Sequence, residues 1–313
     1  MSASIIAPVL PAFLAAILWA ISVVCATRSA KLIGGSEANF WRLAVATTFL
    51  GLWAHLFGQG LGGDSFCLFL ISGIVGVGSD VFLFQALPRI GSRLSLLIIQ
   101  CFAALSGAAV EWFWLGAKLT AGQAAACAVI LAGVSMALAP GKHLNATKGM
   151  VAAGICFCLL AGFGNGFGAV LSRKANEVAR AAHQDIDGAT AGYQRLIGGL
   201  MVAGVCLLVV KRRHLAVQVT HPSPPRLPEA AKWRRVWPWV LANGFAGQTL
   251  GVTCYQWALK TTPSGLVLAI VATTPLVVIP LASIVEGEKI EPRSVLGGVI
   301  AVAGVILLVV VGT

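Results

Sequence analysis

Three ionisable side chains lie inside or at the edge of apolar stretches of the sequence. Asp80 follows the run GIVGVGS, and Arg42 and Arg195 open apolar stretches in FWRLAVA and YQRLIGG. A charge at membrane depth needs a partner or a water-filled cavity. Asp80 is therefore a candidate for proton coupling, and the two arginines are a matched pair that could anchor helices or attract an anionic group. The structural alternative is that Asp80 bonds a neighbouring serine or arginine while both arginines reach the membrane interface.

Four glycines alternate around Asn165 in the run AGFGNGFGAV. Each glycine costs about 1 kcal/mol relative to alanine in a helix interior. The run therefore indicates either a locally opened helix, which would present Asn165 to a ligand, or close packing between helices. Trp19, with Ser22 three residues later, is expected at the same depth in the first apolar stretch. We expect these side chains to bind a ligand, with ordinary packing as the alternative.

Amide and phenol groups recur in the later apolar stretches. Gln248 and Tyr255 are seven residues apart, so they share a helix face. Such groups suit a zwitterionic or polyhydroxylated ligand, and they equally suit hydrogen bonds between helices. The predicted substrate-binding residues are Trp19, Ser22, Gln85, Asn165, Gln248, Tyr255 and Gln256. The predicted coupling or anchoring residues are Asp80, Arg42 and Arg195.

Other residues in these stretches are expected to act structurally. Glu111, Trp112 and Trp114 come near the end of an apolar stretch and are expected at the membrane interface. Pro275 and Pro280 predict a bent helix, which could serve as a gate. The histidines and cysteines show no metal-ligand spacing, and no GxxxxGK[ST] loop is present. We therefore expect no catalytic residues, no metal and no cofactor.

The composition predicts that these side chains are held by an all-α membrane protein. Charged residues make up only 11% of the 313 residues, and the hydrophobic fraction is 58%. Soluble domains carry roughly 25% charged residues, so this chain could not cover a soluble surface. The net charge of +11 falls mostly between apolar stretches. Lipid headgroups and membrane topology explain it better than nucleic acid.

The apolar stretches predict ten transmembrane helices, since a span needs about 20 mostly apolar residues. The first ten residues contain no Lys or Arg, so the first stretch is expected to be a retained helix rather than a signal peptide. No gap is long enough for a soluble domain. The predicted spans are residues 5–26, 39–57, 66–87, 94–115, 121–139, 149–171, 190–210, 236–258, 265–285 and 294–311.

The ten spans divide into two copies of five. FQALPRIGSRLSLL near the third span is matched by QWALKTTPSGLVLA near the eighth, and GAKLTAGQ before the fifth by GEKIEPRS before the tenth. The offset is 171 or 172 positions over these motifs, and Arg42 aligns with Arg195. An odd number of spans makes the second copy enter from the opposite side. We therefore expect inverted repeats, residues 1–140 and 149–313, with a binding site at their interface.

The order and duplication of these motifs resemble the drug/metabolite transporter (DMT) superfamily, in particular its EamA-type ten-helix transporters. The resemblance covers essentially the whole chain. It implies export or exchange of small metabolites, such as amino acids, bases, sugars or drugs, through a central cavity without ATP hydrolysis. The sequence departs from the pattern at Ala117, where the second half has the family-like Glu288, and in the long, charged segment 172–189.

The expected partners are a small-molecule substrate and the lipid bilayer of the cell membrane, with a proton as candidate coupling ion and no nucleic acid. A homodimer is one open alternative. A second class of function is a membrane-embedded enzyme acting on lipid-linked substrates, but no loop carries a Ser/His/Asp set or a metal motif. The excess of Lys and Arg on one side favours both termini outside, whereas the family resemblance implies both inside.

Overall fold

A computed structural model describes residues 3–116, 120–138, 148–220, 229–278, 281 and 292–311, and within them all regular structure is helical. Ala117, Pro280 and Glu288, which the sequence singled out, lie outside the described residues. The helices of the first half are α1 (Ala3–Ile33), α2 (Gly35–Leu56), α3 (Phe66–Ser72), which continues as a π-helix (Gly73–Val77), α4 (Asp80–Leu115) and α5 (Ala121–Leu138).

The second half has a similar order of elements. Its helices are α6 (Lys148–Ala181), α7 (Gly188–Thr220), α8 (Glu229–Asn243), which continues as a second π-helix (Gly244–Gly251), α9 (Val252–Thr261), α10 (Ser264–Val271) and α11 (Pro292–Val311).

Among the described residues, five helical stretches are long and apolar enough to cross a membrane. They are Leu10–Ala30, Phe66–Leu83, Ser95–Leu115, Lys148–Ala181 and Gly188–Arg212. Three further helices are apolar but shorter: Ala121–Ala137, Ser264–Val278 and Val295–Gly304. The all-helical, strongly apolar architecture agrees with the sequence prediction, while the count of ten spans remains a prediction.

Of the predicted boundaries that differ from the structure, two lie close to the site. The expected gap at 88–93 is helical, because α4 runs unbroken from Asp80 to Leu115, and the break lies earlier, at Gly78 and Ser79. The glycines of this region favour the π-helix and the turn that follows it. Helix α6 extends ten residues past the predicted end at 171. Its added turns carry Arg173, Lys174 and Glu177, whose pairing at i,i+3 and i,i+4 stabilises an exposed helix end.

The glycines around Asn165 let α6 pack against two neighbours at once. A Cβ on Gly166 would lie 2.6 Å from the carbonyl oxygen of Ala103 on α4, and one on Gly168 would lie 2.6 Å from the Cα of Gly76 in the first π-helix. Gly162 and Gly164 repeat these two contacts one turn earlier. Because α6 is unbroken, the structure has the close-packing arrangement rather than a locally opened helix.

The last helices of the two halves, α5 and α11, pack against each other reciprocally. A Cβ on Gly133 would lie 2.4 Å from the backbone nitrogen of Ala301, and one on Gly304 would lie 2.8 Å from the backbone nitrogen of Ile130. Gly133 and Gly304 are equivalent positions of the repeat, 171 residues apart. Glycines at equivalent positions of the two halves therefore let the backbones of α5 and α11 approach each other closely.

Candidate functional site

A cavity of about 180 Å³ lies between the two halves of the chain. From the first half it is lined by α1, α2, α4 and the first π-helix. From the second half it is lined by α6, α7, α9, α10, the second π-helix and residues 274–278. The described residues of α5 and α11 contribute nothing to the lining. The cavity is thus enclosed by eight of the ten predicted spans.

Most of the residues singled out from the sequence meet in this cavity. Its lining includes five of the seven predicted substrate-binding residues and all three predicted charged residues. These are Trp19, Ser22, Asn165, Gln248, Tyr255, Asp80, Arg42 and Arg195. Their contact with a ligand stays a prediction.

The other two predicted binding residues do not line the cavity. Gln85 is exposed, and its side-chain oxygen accepts a hydrogen bond from Arg89 at 3.2 Å. Gln256 is only 1% exposed, and its amide nitrogen donates to the Ser172 hydroxyl at 3.1 Å. Gln256 is therefore placed to position other side chains.

Many lining residues form pairs of equivalent positions in the two halves, separated by 171 or 172 positions, or by 153 for the two arginines, which precede the longer loop 211–235 of the second half. The pairs are Arg42 and Arg195, Val77 and Gln248, Asp80 and Val252, Leu83 and Tyr255, Leu96 and Leu268, and Ile99 and Val271. Both halves thus present equivalent positions to the cavity. The chemistry of several pairs differs, since an acid faces a valine and a leucine faces a tyrosine.

The charged groups of the first half form an ion pair. Arg42 Nη2 lies 2.7 Å from Asp80 Oδ2, and the Arg42 Nε donates to the Asn39 side chain at 2.8 Å. The two side chains are 12% and 17% exposed. This pair neutralises both charges and ties α2 to the start of α4; the anchoring role of Arg42 stays a prediction.

Arg195 is held differently. It is 5% exposed, its Nη1 donates to the Ser172 hydroxyl at 3.0 Å, and its guanidinium carbon lies 5.3 Å from the centre of the Tyr255 ring. Ser172 Oγ also lies 2.6 Å from Ser72 Oγ, which donates to the Gly168 carbonyl. Since Ser72 uses its proton there, Ser172 donates to Ser72 and accepts from Arg195 and Gln256. The donor and both acceptor sites of the Ser172 hydroxyl are thereby engaged, and Ser172 fixes the orientation of Arg195.

An aromatic pair forms another part of the wall. The rings of Trp19 and Tyr255 have centroids 5.1 Å apart, and Trp19 Nε1 donates to the Gly247 carbonyl at 2.9 Å. Next to them, the Ser22 hydroxyl donates to Asn243 Oδ1 at 2.5 Å. A π-helix alters the backbone hydrogen-bond pattern and is often found at functional sites. Here the second π-helix supplies the carbonyl that fixes the indole at the cavity.

The two π-helices begin 171 positions apart and contact the opposite half in equivalent ways. A Cβ on Gly73 would overlap the Arg195 carbonyl oxygen at 1.7 Å, and one on Gly244 would lie 3.0 Å from the Arg42 carbonyl oxygen. Each π-helix therefore packs against the backbone of the other half's arginine. Only glycine permits the closer of these contacts without a shift of backbone.

Glu111 is buried within the protein, and its position at the membrane interface stays a prediction. It is 2% exposed, and its Oε1 lies 2.6 Å from Arg173 Nε. Its Oε2 accepts from the backbone and hydroxyl of Ser264 at 2.6 and 2.5 Å and from the Gly265 backbone at 3.3 Å. A carboxylate on the free N–H groups at the start of α10 is stabilised by the helix dipole. The cluster ties α4, α6 and α10 together beyond the cavity, and Trp112 and Trp114 beside it are exposed.

Sequence reasoning missed Ser172, Asn243 and Arg173 as parts of this framework. Ser172 and Asn243 are polar residues at apolar depth, and Asn243 is the repeat equivalent of Ser72. That equivalence was the available signal. Arg173 was assigned to a loop because α6 was predicted too short. Among the described residues, no group of three or more His, Cys, Asp or Glu could hold a metal ion.

Comparison with known proteins gives the following matches. Residues 6–139 and 152–310 each match a family described as the EamA-like transporter family. No curated protein matches the chain by sequence. The fold is shared with a solved protein, described only as a crystal structure of protein, at a TM-score of 0.71 and 16% identity, covering 97% of each chain. At that identity the similarity extends to the fold alone.

Proposed function

Because the chain belongs to the EamA-like transporter family, whose members are multi-pass membrane transporters of small molecules, we propose that it is a secondary transporter of a small polar metabolite. An amino acid or a related compound is the favoured substrate, moved by export or exchange without ATP hydrolysis. The observation that carries this proposal is the cavity between the halves, lined at equivalent positions by both.

The proposed architecture is ten transmembrane helices in two inverted five-helix repeats, residues 1–140 and 149–313, in the cell membrane. Two reciprocal contacts support it. Gly133 on α5 and Gly304 on α11 each contact the backbone of the other helix at equivalent positions. The first π-helix likewise contacts the backbone of α7 at Arg195, and the second contacts α2 at Arg42. An approximate two-fold axis in the membrane plane relates such contacts in transporters built from inverted repeats.

Alternating access is the proposed mechanism, with the π-helices as the sites where each half bends. A π-helix interrupts the regular α-helical hydrogen bonds, so it is a local weak point of a span. Each π-helix contributes one lining residue, Val77 or Gln248, and packs against the backbone of the other half's arginine. Bending at one π-helix, followed by the equivalent bend at its partner, would expose the cavity to each side in turn.

The test is uptake into proteoliposomes of a panel of amino acids, bases and sugars, with and without a pH gradient. Gln248→Trp is expected to block saturable flux by filling the cavity, because Gln248 lines it. Leu250→Trp is the matched control, since Leu250 is on the same π-helix but 40% exposed and outside the lining. Both variants are first checked for a monodisperse, folded protein.

Two outcomes would contradict the proposal. Absence of flux across the whole panel, with turnover of lipid substrates instead, would favour a membrane-embedded enzyme. Equal flux through both tryptophan variants would place the pathway elsewhere. Cross-linking in native membranes separately tests the open question of a homodimer.

A further inference from the structure

The two equivalent arginines of the cavity differ in their counter-ions. Arg42 has Asp80 at 2.7 Å, whereas no carboxylate of the described residues lies within ion-pair distance of Arg195. The reason is in the repeat. The position 172 residues after Asp80 is Val252, which lines the cavity with an apolar side chain. The second half has kept the arginine and lacks the acid.

The cavity therefore carries one positive charge that the described residues leave unbalanced. Its lining contains Arg42, Arg195 and Asp80 as the charged groups. Arg195 is 5% exposed, and the Ser172 and Tyr255 side chains against it are neutral. The Asp80 charge also attracts Arg195, but that carboxylate is already paired with Arg42. A buried charge without a counter-ion is strongly destabilising. An anion that enters the cavity would supply the counter-ion that Arg195 lacks, and its binding would therefore be favourable.

The local geometry suits a planar anion. A guanidinium has five N–H donors and pairs with carboxylates through two parallel hydrogen bonds. Nη1 of Arg195 is engaged by Ser172. The Ser172 hydroxyl is itself held by Ser72 and Gln256, so the guanidinium is fixed before a ligand arrives. Gly76 lies under the guanidinium, where a Cβ would come within 2.6 Å of Nη2.

Resting on the proposed transport function, we propose that the substrate carries a carboxylate that pairs with Arg195, with its remaining atoms against Trp19 and Tyr255. A small carboxylate, such as an amino acid or a 2-oxo acid, suits a cavity of about 180 Å³ better than a lipid or a peptide does. Arg42 is excluded as the anchor because Asp80 already neutralises it.

The experiment uses pairs of compounds that differ only in the carboxylate. Counterflow of a compound that the proteoliposome panel shows to be transported is measured in the presence of L-amino acids or of the corresponding L-amino acid amides as inhibitors. We expect the acids to inhibit about 10- to 100-fold better than the amides, the size of a lost hydrogen bond to a charged group. Arg195→Gln removes this preference, and Arg195→Lys keeps part of it because the charge remains. Arg180→Gln is the matched control, since Arg180 is outside the cavity and donates to a surface carbonyl.

A binding assay separates failure of this inference from failure of transport. The purified wild-type protein is heated in detergent with each acid and each amide. Stabilisation by acids only, lost in Arg195→Gln, supports the carboxylate anchor even when no flux is found. Equal effects of acid and amide on wild-type protein overturn the inference even when transport is robust. Because that comparison needs no variant, it holds even where Arg195→Gln fails to fold.

Discussion

Glu111 is the buried acid whose replacement should cost the most stability. Its carboxylate holds the Arg173 guanidinium at 2.6 Å and caps the first turn of α10 through three donors. Glu111→Gln keeps the size of the side chain and one oxygen but removes the negative charge. Arg173 then keeps only the more distant carboxylate of Glu177, at 3.8 Å, and the N-terminus of α10 loses its anion.

The magnitude follows from the burial of the two partners. Removing one member of a buried ion pair costs 3–5 kcal/mol as an order of magnitude. Arg173 is 19% exposed and keeps Glu177 at 3.8 Å, so the lower end applies, about 3 kcal/mol. Ser264→Ala removes only a hydroxyl donor and should cost about 1 kcal/mol. Because Glu111→Gln with Arg173→Gln removes both charges, this double variant should be more stable than Glu111→Gln alone.

Equilibrium unfolding of the purified protein in mixed micelles measures these differences. At about 1.4 kcal/mol per factor of ten, Glu111→Gln should lower the folded-to-unfolded ratio by roughly two orders of magnitude. A Glu111→Gln variant within about 0.5 kcal/mol of wild type, the range of ordinary surface changes, would falsify the assignment of a buried pair. If the double variant were less stable than Glu111→Gln alone, the Glu111 carboxylate would not stabilise the protein mainly through its attraction to Arg173.

Three further predictions concern the cavity and its packing. Gly168→Ala should lower stability by about 1–3 kcal/mol, because its Cβ meets backbone at 2.6 Å; Gly149→Ala, on the same helix with nothing within 4 Å, should leave the thermal midpoint unchanged or raise it. Asp80→Asn should slow transport by leaving Arg42 unpaired, and a variant that still responds fully to a pH gradient would exclude proton coupling through this acid. Trp19→Phe should cost about 1 kcal/mol by removing the hydrogen bond to a π-helix carbonyl, measured by the shift in unfolding midpoint.

The sequence predicts the site better than it predicts helix boundaries. Asp80, Arg42 and Arg195 were identified because charge in an apolar stretch is costly, and that cost does not depend on knowing the fold. The repeat then indicated that equivalent residues would meet at one interface. The unbroken α4 was not predicted, because the polar run PRIGSR at 88–93 looks like a loop and is nonetheless helical.

The composition of the sequence and the spacing of its residues do not predict contacts between distant segments. Ser172 is an ordinary residue in the sequence, and its role depends on Ser72 and Gln256, which are 100 and 84 positions away. The partners of Glu111 likewise lie 153 and 154 positions away, at the N-terminus of α10. Periodicity describes which face of a helix is apolar, but it does not identify which helix end meets a given acid.

The paired lining positions give the cavity a symmetric frame with asymmetric chemistry. The frame has two equivalent places for a head group, and in this structure Asp80 occupies one of them. A substrate that pairs with Arg195 as proposed would therefore bind in only one of the two orientations that the frame would otherwise allow. Its charged end would remain on the Arg195 half whichever side of the membrane the cavity faces, so the molecule would cross with a fixed polarity.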